Sequence, residues 1–200
     1  MVTWGSSLEG GDSSSVQDRL DSVREVQSTT TAFAAILLDG SVVTWGNERD
    51  GGDSSLVQDE LQNVQQIQST STAFAALLAD GSVVTWGQDR GGGDSRLVQH
   101  RLRNVEQIQS TCSAFAAILS DGSVVTWGYD RDGGDSTAVQ HQLVNVRQIQ
   151  ASHRAFAAIL ADGSVVTWGQ YHFGGDSEAV KYYLKDAAWL QMRKLLTPLE

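Results

Sequence analysis

The stretch QQIQSTSTAFAALLADGSVVTWG, residues 65–87, decides the fold. Gln65–Ser69 alternates polar residues around Ile67 and reads as a short strand. A Thr/Ser turn leads into a second strand, Ala73–Leu78, and Asp80-Gly81 then marks a two-residue hairpin turn of type I′. Ser82–Trp86 returns as a third strand rich in β-branched residues. The unit is a three-stranded antiparallel meander. Both of its faces are apolar or small: Ala73, Ala75, Leu77, Val83 and Thr85 point one way, Phe74, Ala76, Leu78, Val84 and Trp86 the other. A sheet wetted on one side alternates apolar with polar residues, so this one is expected to be covered on both sides by neighbours.

Those neighbours are further copies of the same unit. Trp-Gly recurs at Trp4, Trp45, Trp86, Trp127 and Trp168, always 41 residues apart. Ala-Phe-Ala-Ala places Phe33, Phe74, Phe115 and Phe156 at the same interval, and Gly-Gly-Asp-Ser places Asp12, Asp53, Asp94, Asp135 and Asp176. Complete meanders fall near 24–46, 65–87, 106–128 and 147–169. Between them runs a segment such as Ser55–Val64, in which the spacing of Val57, Leu61 and Val64 suits one face of a short helix. Asp53 or Ser54 is placed to cap that helix, with an extended segment as the alternative.

The fold expected is a β-rich α+β tandem repeat, stacked as an open solenoid with capped ends. A small closed β-propeller is the alternative. Residues 1–23 form a partial N-terminal repeat of strand and helix, 24–175 hold four repeats, and 176–200 supply a capping helix and tail. Openness is expected because the fourth meander already owns its Val-Thr-Trp strand and needs none from the N-terminus. The last segment leaves the repeat consensus at Glu178–Leu196 for a run of good helix formers before Pro198. Its alternative reading is a degenerate fifth unit, because Leu190 falls on the register of Ile149.

The core Asp39-Gly40-Ser41-Val42-Val43-Thr44-Trp45-Gly46, with the Ile-Gln-Ser-Thr and Ala-Phe-Ala-Ala-Ile-Leu strands before it, resembles a shortened repeat of the regulator of chromosome condensation family. Similar tracts occur in dinoflagellate tandem-repeat proteins. The resemblance spans about residues 1 to 180 and implies propeller-type blades used for protein binding. Three features depart from the family: the 41-residue period is shorter than its usual blade, Gly-Gly-Asp-Ser replaces its Gly-Gln-Leu-Gly, and the chain has fewer than seven repeats. The nucleotide-exchange loops of the founding member match no residue here.

Chemistry is sparse. A net charge of −10 argues against nucleic acid or an anionic membrane as partner, since neither attracts an acidic surface. No run reaches the roughly 18 apolar residues of a membrane helix, and an intracellular, cytoplasmic protein is expected. The single cysteine, Cys112, stands where other repeats carry Thr30, Ser71 and His153, which reads as drift. His100 and His141 lie one repeat apart and read as exposed polar substitutions before metal ligands. The Asp53, Asp94 and Asp135 series reads as capping, and Gly91-Gly92-Gly93 lacks the Lys-Ser/Thr of a phosphate loop. With no nucleophile–base pair in view, no enzyme and no cofactor is expected.

The recurrent Trp45, Trp86, Trp127 and Trp168, with Phe33, Phe74, Phe115 and Phe156, read as core. An exposed aromatic track is the alternative. Variation concentrates after each Trp-Gly: Asn47-Glu48-Arg49-Asp50, Gln88-Asp89-Arg90, and Tyr129-Asp130-Arg131-Asp132. A constant frame with changing loops is how repeat arrays diversify binding. The expected function is a non-enzymatic scaffold that binds an unknown protein through these loops, or else a structural spacer within a larger protein.

Overall fold

The computed structural model describes residues 1–178. Four three-stranded antiparallel sheets follow one another: β1 (Val23–Ser28), β2 (Ala32–Leu37) and β3 (Val42–Gly46); β4 (Val64–Ser69), β5 (Ala73–Leu78) and β6 (Val83–Gly87); β7 (Val105–Ser110), β8 (Ala114–Leu119) and β9 (Val124–Gly128); β10 (Val146–Ala151), β11 (Ala155–Leu160) and β12 (Val165–Gly169). Each middle strand pairs with both partners, Phe74 opposite Trp86 on one side and opposite Ser69 on the other.

The two faces of each sheet separate as the alternation predicts. Phe74, Ala76, Val84 and Trp86 pack with Leu61, Val64 and Ile67 against Ala32, Ala34, Ile36 and Val42 of the preceding sheet. The opposite face, Ala73, Ala75, Leu77 and Val83, receives Leu102, Val105, Ile108, Phe115 and Trp127 of the next. A third core of the same make-up joins the third and fourth sheets. Alanine in the middle strand is what permits this approach. Ala73, Ala75 and Ala76 are completely buried, and a larger side chain there would hold the layers apart. Each fully buried Ile or Leu contributes about 1.5–3 kcal/mol.

Polar bonds knit the same interfaces. Thr30 N–H donates to Ser71 C=O, Ser71 N–H to Cys112 C=O, and Cys112 N–H to His153 C=O, a ladder along one edge of the stack. At the other edge the N–H groups of Val64, Val105 and Val146 donate to the carbonyls of Gly40, Gly81 and Gly122 in the preceding unit. Arg24 sits at the bulge of β1, and its guanidinium reaches the carbonyls of Val64 and Gln65.

Among the described residues the cores run in line, and none joins the fourth sheet to the first. The stack is open, not a closed propeller. Its first sheet is backed by Val16, Leu20 and the Gly10 loop, leaving Val26 38% exposed where Ile67, Ile108 and Ile149 are buried.

Three local details differ from expectation. The Asp-Gly turn is a three-residue loop: Gly81 N–H donates to Leu78 C=O, Leu78 N–H to Ser82 C=O, and only Gly81 has positive φ, at 80°. Type I′ would put Asp80 there too. Asp80 is more useful in the ordinary region, where its carboxylate accepts from the N–H and hydroxyl of Ser82. The connecting segment is helical only as successive 3₁₀ turns, with Val57 N–H donating to Ser54 C=O and Glu60 N–H to Val57 C=O. Ten residues that must also deliver Leu61 and Val64 to the core leave no room for a longer helix. Finally, the N-terminal Val-Thr-Trp is not a strand, having no neighbouring strand to pair with among the described residues. The expected C-terminal capping helix lies outside the described residues, apart from its first few.

Candidate interaction surface

Each Trp-Gly is followed by one 3₁₀ turn, Glu48–Asp50, Asp89–Gly91, Asp130–Asp132 or Tyr171–Phe173. A left-handed glycine ends each turn, with φ of 98°, 93°, 103° and 99° at Gly51, Gly92, Gly133 and Gly174. At Gly51, Gly92 and Gly133 the glycine is required for space as well as angle. A Cβ on Gly51 would lie 2.6 Å from the Phe74 ring of the next unit. The Trp86 indole N–H donates to the Gly51 carbonyl at 3.0 Å, and Trp45, Trp127 and Trp168 repeat the bond onto Gly10, Gly92 and Gly133. Each of these indoles stacks on its cross-strand phenylalanine at 5.1–5.2 Å. They are 4–5% exposed, so the tryptophans fasten one unit's loop to the next unit's sheet and leave no aromatic track.

Below the loop, Asp12, Asp53, Asp94, Asp135 and Asp176 each accept the backbone N–H two residues on. The following serine continues inward: Thr44 and Ser54 share a hydrogen bond, Ser54 donates to Gln58 Oε1, and Gln58 Nε2 donates to Val42 C=O. Arg96 chelates Asp94 at 2.6 Å, and this side-chain hydrogen bond holds the Asp94 carboxyl down to about 2.

The loop residues divide into two groups. Asp50 and Asp132 turn inward: Thr31 and Ser113 hydroxyls donate to them at 2.5 Å, and Asp132 is buried. Asn47 accepts the Arg49 N–H and serves the turn itself. Buried Thr70 and Thr111 hold the loop from beneath, their hydroxyls donating to the carbonyls of Gly91 and Asp132. Sequence patterning had no means of singling out these threonines among so many Ser and Thr. Glu48, Arg49, Gln88, Asp89, Arg90, Asp130 and Arg131 lie on the outer side of the loops.

Successive loops touch. Gln88 Nε2 donates to Asp50 at 2.7 Å, and the Arg90 guanidinium lies 5.7 Å from the centre of the Tyr129 ring. Beside them run two grooves, one of 590 Å³ walled by Glu48, Arg49 and Arg96, the other of 440 Å³ walled by Arg90, Tyr129 and Asp130. Leu56 and Leu97 stand on their lips, 97% and 93% exposed. Among the described residues no group of His, Cys, Asp and Glu is arranged to hold a metal. Cys112 donates to the Asp132 carboxylate, and burial, ahead of that neighbouring charge, pushes its thiol up and away from reactivity.

No protein-family model matches the chain, and no curated protein does. Solved structures match well. Prp20p from Saccharomyces cerevisiae, described with its binding to Gsp1p and histones, superposes over 77% of this chain and 46% of its own, with TM-score 0.55 and 17% identity. Yeast RCC1 (Prp20) bound to Kap60 gives 0.55 at 16% identity, over 77% and 45%. The CRINKLY WD40 ectodomain of the Arabidopsis thaliana receptor kinase ACR4 gives 0.52 at 18%, over 77% and 52%. The chain spans about half the length of each. By its fold, this chain resembles the repeats of the regulator of chromosome condensation.

Proposed function

We propose that the chain is a non-enzymatic scaffold that binds protein through the edge formed by its post-Trp-Gly loops. One observation carries this reading. The same backbone frame, a 3₁₀ turn closed by a left-handed glycine, recurs at 48–51, 89–92 and 130–133 and presents an acidic residue followed by arginine each time, Glu48-Arg49, Asp89-Arg90 and Asp130-Arg131, while the residue before it changes from Asn47 to Gln88 to Tyr129. Rigid frames with exchangeable tips bind at low entropic cost, because the loop is ordered beforehand. The grooves give such a partner somewhere to lie, and acidic Glu48, Asp89 and Asp130 favour one with basic residues. The solved structures of similar fold add support, since Prp20p is described binding Gsp1p, histones and Kap60.

The test replaces Glu48, Arg49, Asp89, Arg90, Asp130 and Arg131 with Ser while keeping Asp50 and Asp132, whose inward bonds hold the loops. Captured partners should be lost with the melting temperature unchanged. An unchanged set of partners would instead leave a spacer, in which the loops carry no recognition.

A further inference from the structure

One position in each connecting segment has no part in the fold. Val16, Val57, Val98 and Val139 pack against the four cores, and the residue just before each of them is exposed: Ser15, Leu56, Leu97 and Ala138. Serine and alanine serve in two of these places, so leucine in the other two answers to no demand of the core. A single exposed leucine would mean little. Leu56 and Leu97, however, stand one period apart, and each lines one of the two grooves beside the loop edge, Leu56 that of 590 Å³ and Leu97 that of 440 Å³. Asp89 and Asp94 line both grooves, which therefore share a wall and lie side by side. Both are acidic. Among the described residues the first sets Glu48, Asp53, Glu60, Asp89 and Asp94 against Arg49 and Arg96, and Arg96 is held by Asp94 at 2.6 Å. The second sets Asp89, Asp94 and Asp130 against Arg90, whose guanidinium lies over the Tyr129 ring.

From these leucine lips and acidic walls we infer that the two grooves form one docking site for a cationic amphipathic peptide segment. The segment sets one apolar side chain against Leu56 and a second against Leu97, with lysine or arginine flanking each. The inference rests on the loop edge being a protein-binding edge, and it names the chemistry of the partner. Contact with the leucines removes apolar surface from water on both sides. The excess carboxylates draw in the basic flanks and set the orientation, and the same carboxylates reject an acidic segment of equal apolarity. Joining the two apolar contacts on one chain makes the second intramolecular, so a segment of matching length binds more tightly than either half alone.

The probe is a series of fluorescent peptides, each with two leucines flanked by pairs of lysines and separated by one to six glycines. Each is titrated into the full chain and followed by anisotropy. Saturable binding is expected, tightest at one spacer length. It should weaken at least tenfold with Leu56→Ser and Leu97→Ser together in the protein, or with serine for both leucines in the peptide. Serine already occupies the equivalent position 15, so the double variant keeps the fold, and an unchanged melting temperature checks that. Absence of saturable binding overturns the inference. So does binding indifferent to the two leucines of the protein, since the lysines are then held by its general negative charge. Dimerisation of the chain in sedimentation, abolished by the double variant, would place a second copy in the grooves and overturn the peptide as occupant. The double variant leaves the loops untouched, so its failure does not decide the capture of partners by the loop edge, which the loop substitutions test separately.

Discussion

The tryptophan of Trp-Gly carries three tasks at once: it fills the core, stacks on phenylalanine, and bonds to the carbonyl of the preceding loop's glycine. Its role as core was legible from recurrence at one strand position. The third task was not, because no local pattern ties residue 86 to residue 51. Trp86→Ala is predicted to destabilise the array by about 3–5 kcal/mol, read from denaturant unfolding. The aspartates give a second residue-scale prediction. Hydrogen bonds from Ser41, Ser82 and Ser123 lower the carboxyls of Asp39, Asp80 and Asp121, and Arg96 lowers that of Asp94 to about 2. Carboxyls lower in the folded chain than in the unfolded chain favour folding above the unfolded value of 3.8. That contribution is lost as pH falls from about 4 toward 2. An NMR titration of the Arg96→Ala chain should find Asp94 moved up toward 3.8. No movement would remove Arg96 as the cause.

At the scale of elements, strand positions and facing were legible because alternation is strict and β-branched residues mark β3, β6, β9 and β12. Turn geometry was less so. Asp-Gly is compatible with several hairpin loops, and the choice is made by the serine that follows, which bonds back to the aspartate. The entry to each sheet was invisible in the sequence. Asn63, Asn104 and Asn145 all adopt φ of 54° before the first strand, and Ser22 adopts 55°. Asparagine tolerates this region far better than serine. Ser22→Asn should therefore raise stability by about 0.5–1 kcal/mol, seen as a higher melting temperature. The same substitution lowering stability would mean that the left-handed turn is not a strain in the first unit.

For the whole molecule, doubly apolar sheets imply neighbours on both sides. The interior units answer the requirement by repetition. The first unit leaves Val26 exposed, and Ile159 on the outer face of the fourth sheet is 39% exposed. Sequence could place the variable loops on one edge, but it could not divide them into inward Asp50 and Asp132 and outward arginines. That division depends on Thr31 and Ser113, some twenty residues earlier.

The open stack is the central feature of the fold, and residue-resolved amide hydrogen exchange tests it directly. Core strands open at the full unfolding free energy, and the ends of a stack at less. In an open stack the amides of β4 to β9, covered on both sides, exchange slowest, and those of β1 and β12 exchange measurably faster. Equal protection in all four sheets would mean that the first and fourth cover each other, and would contradict the open array.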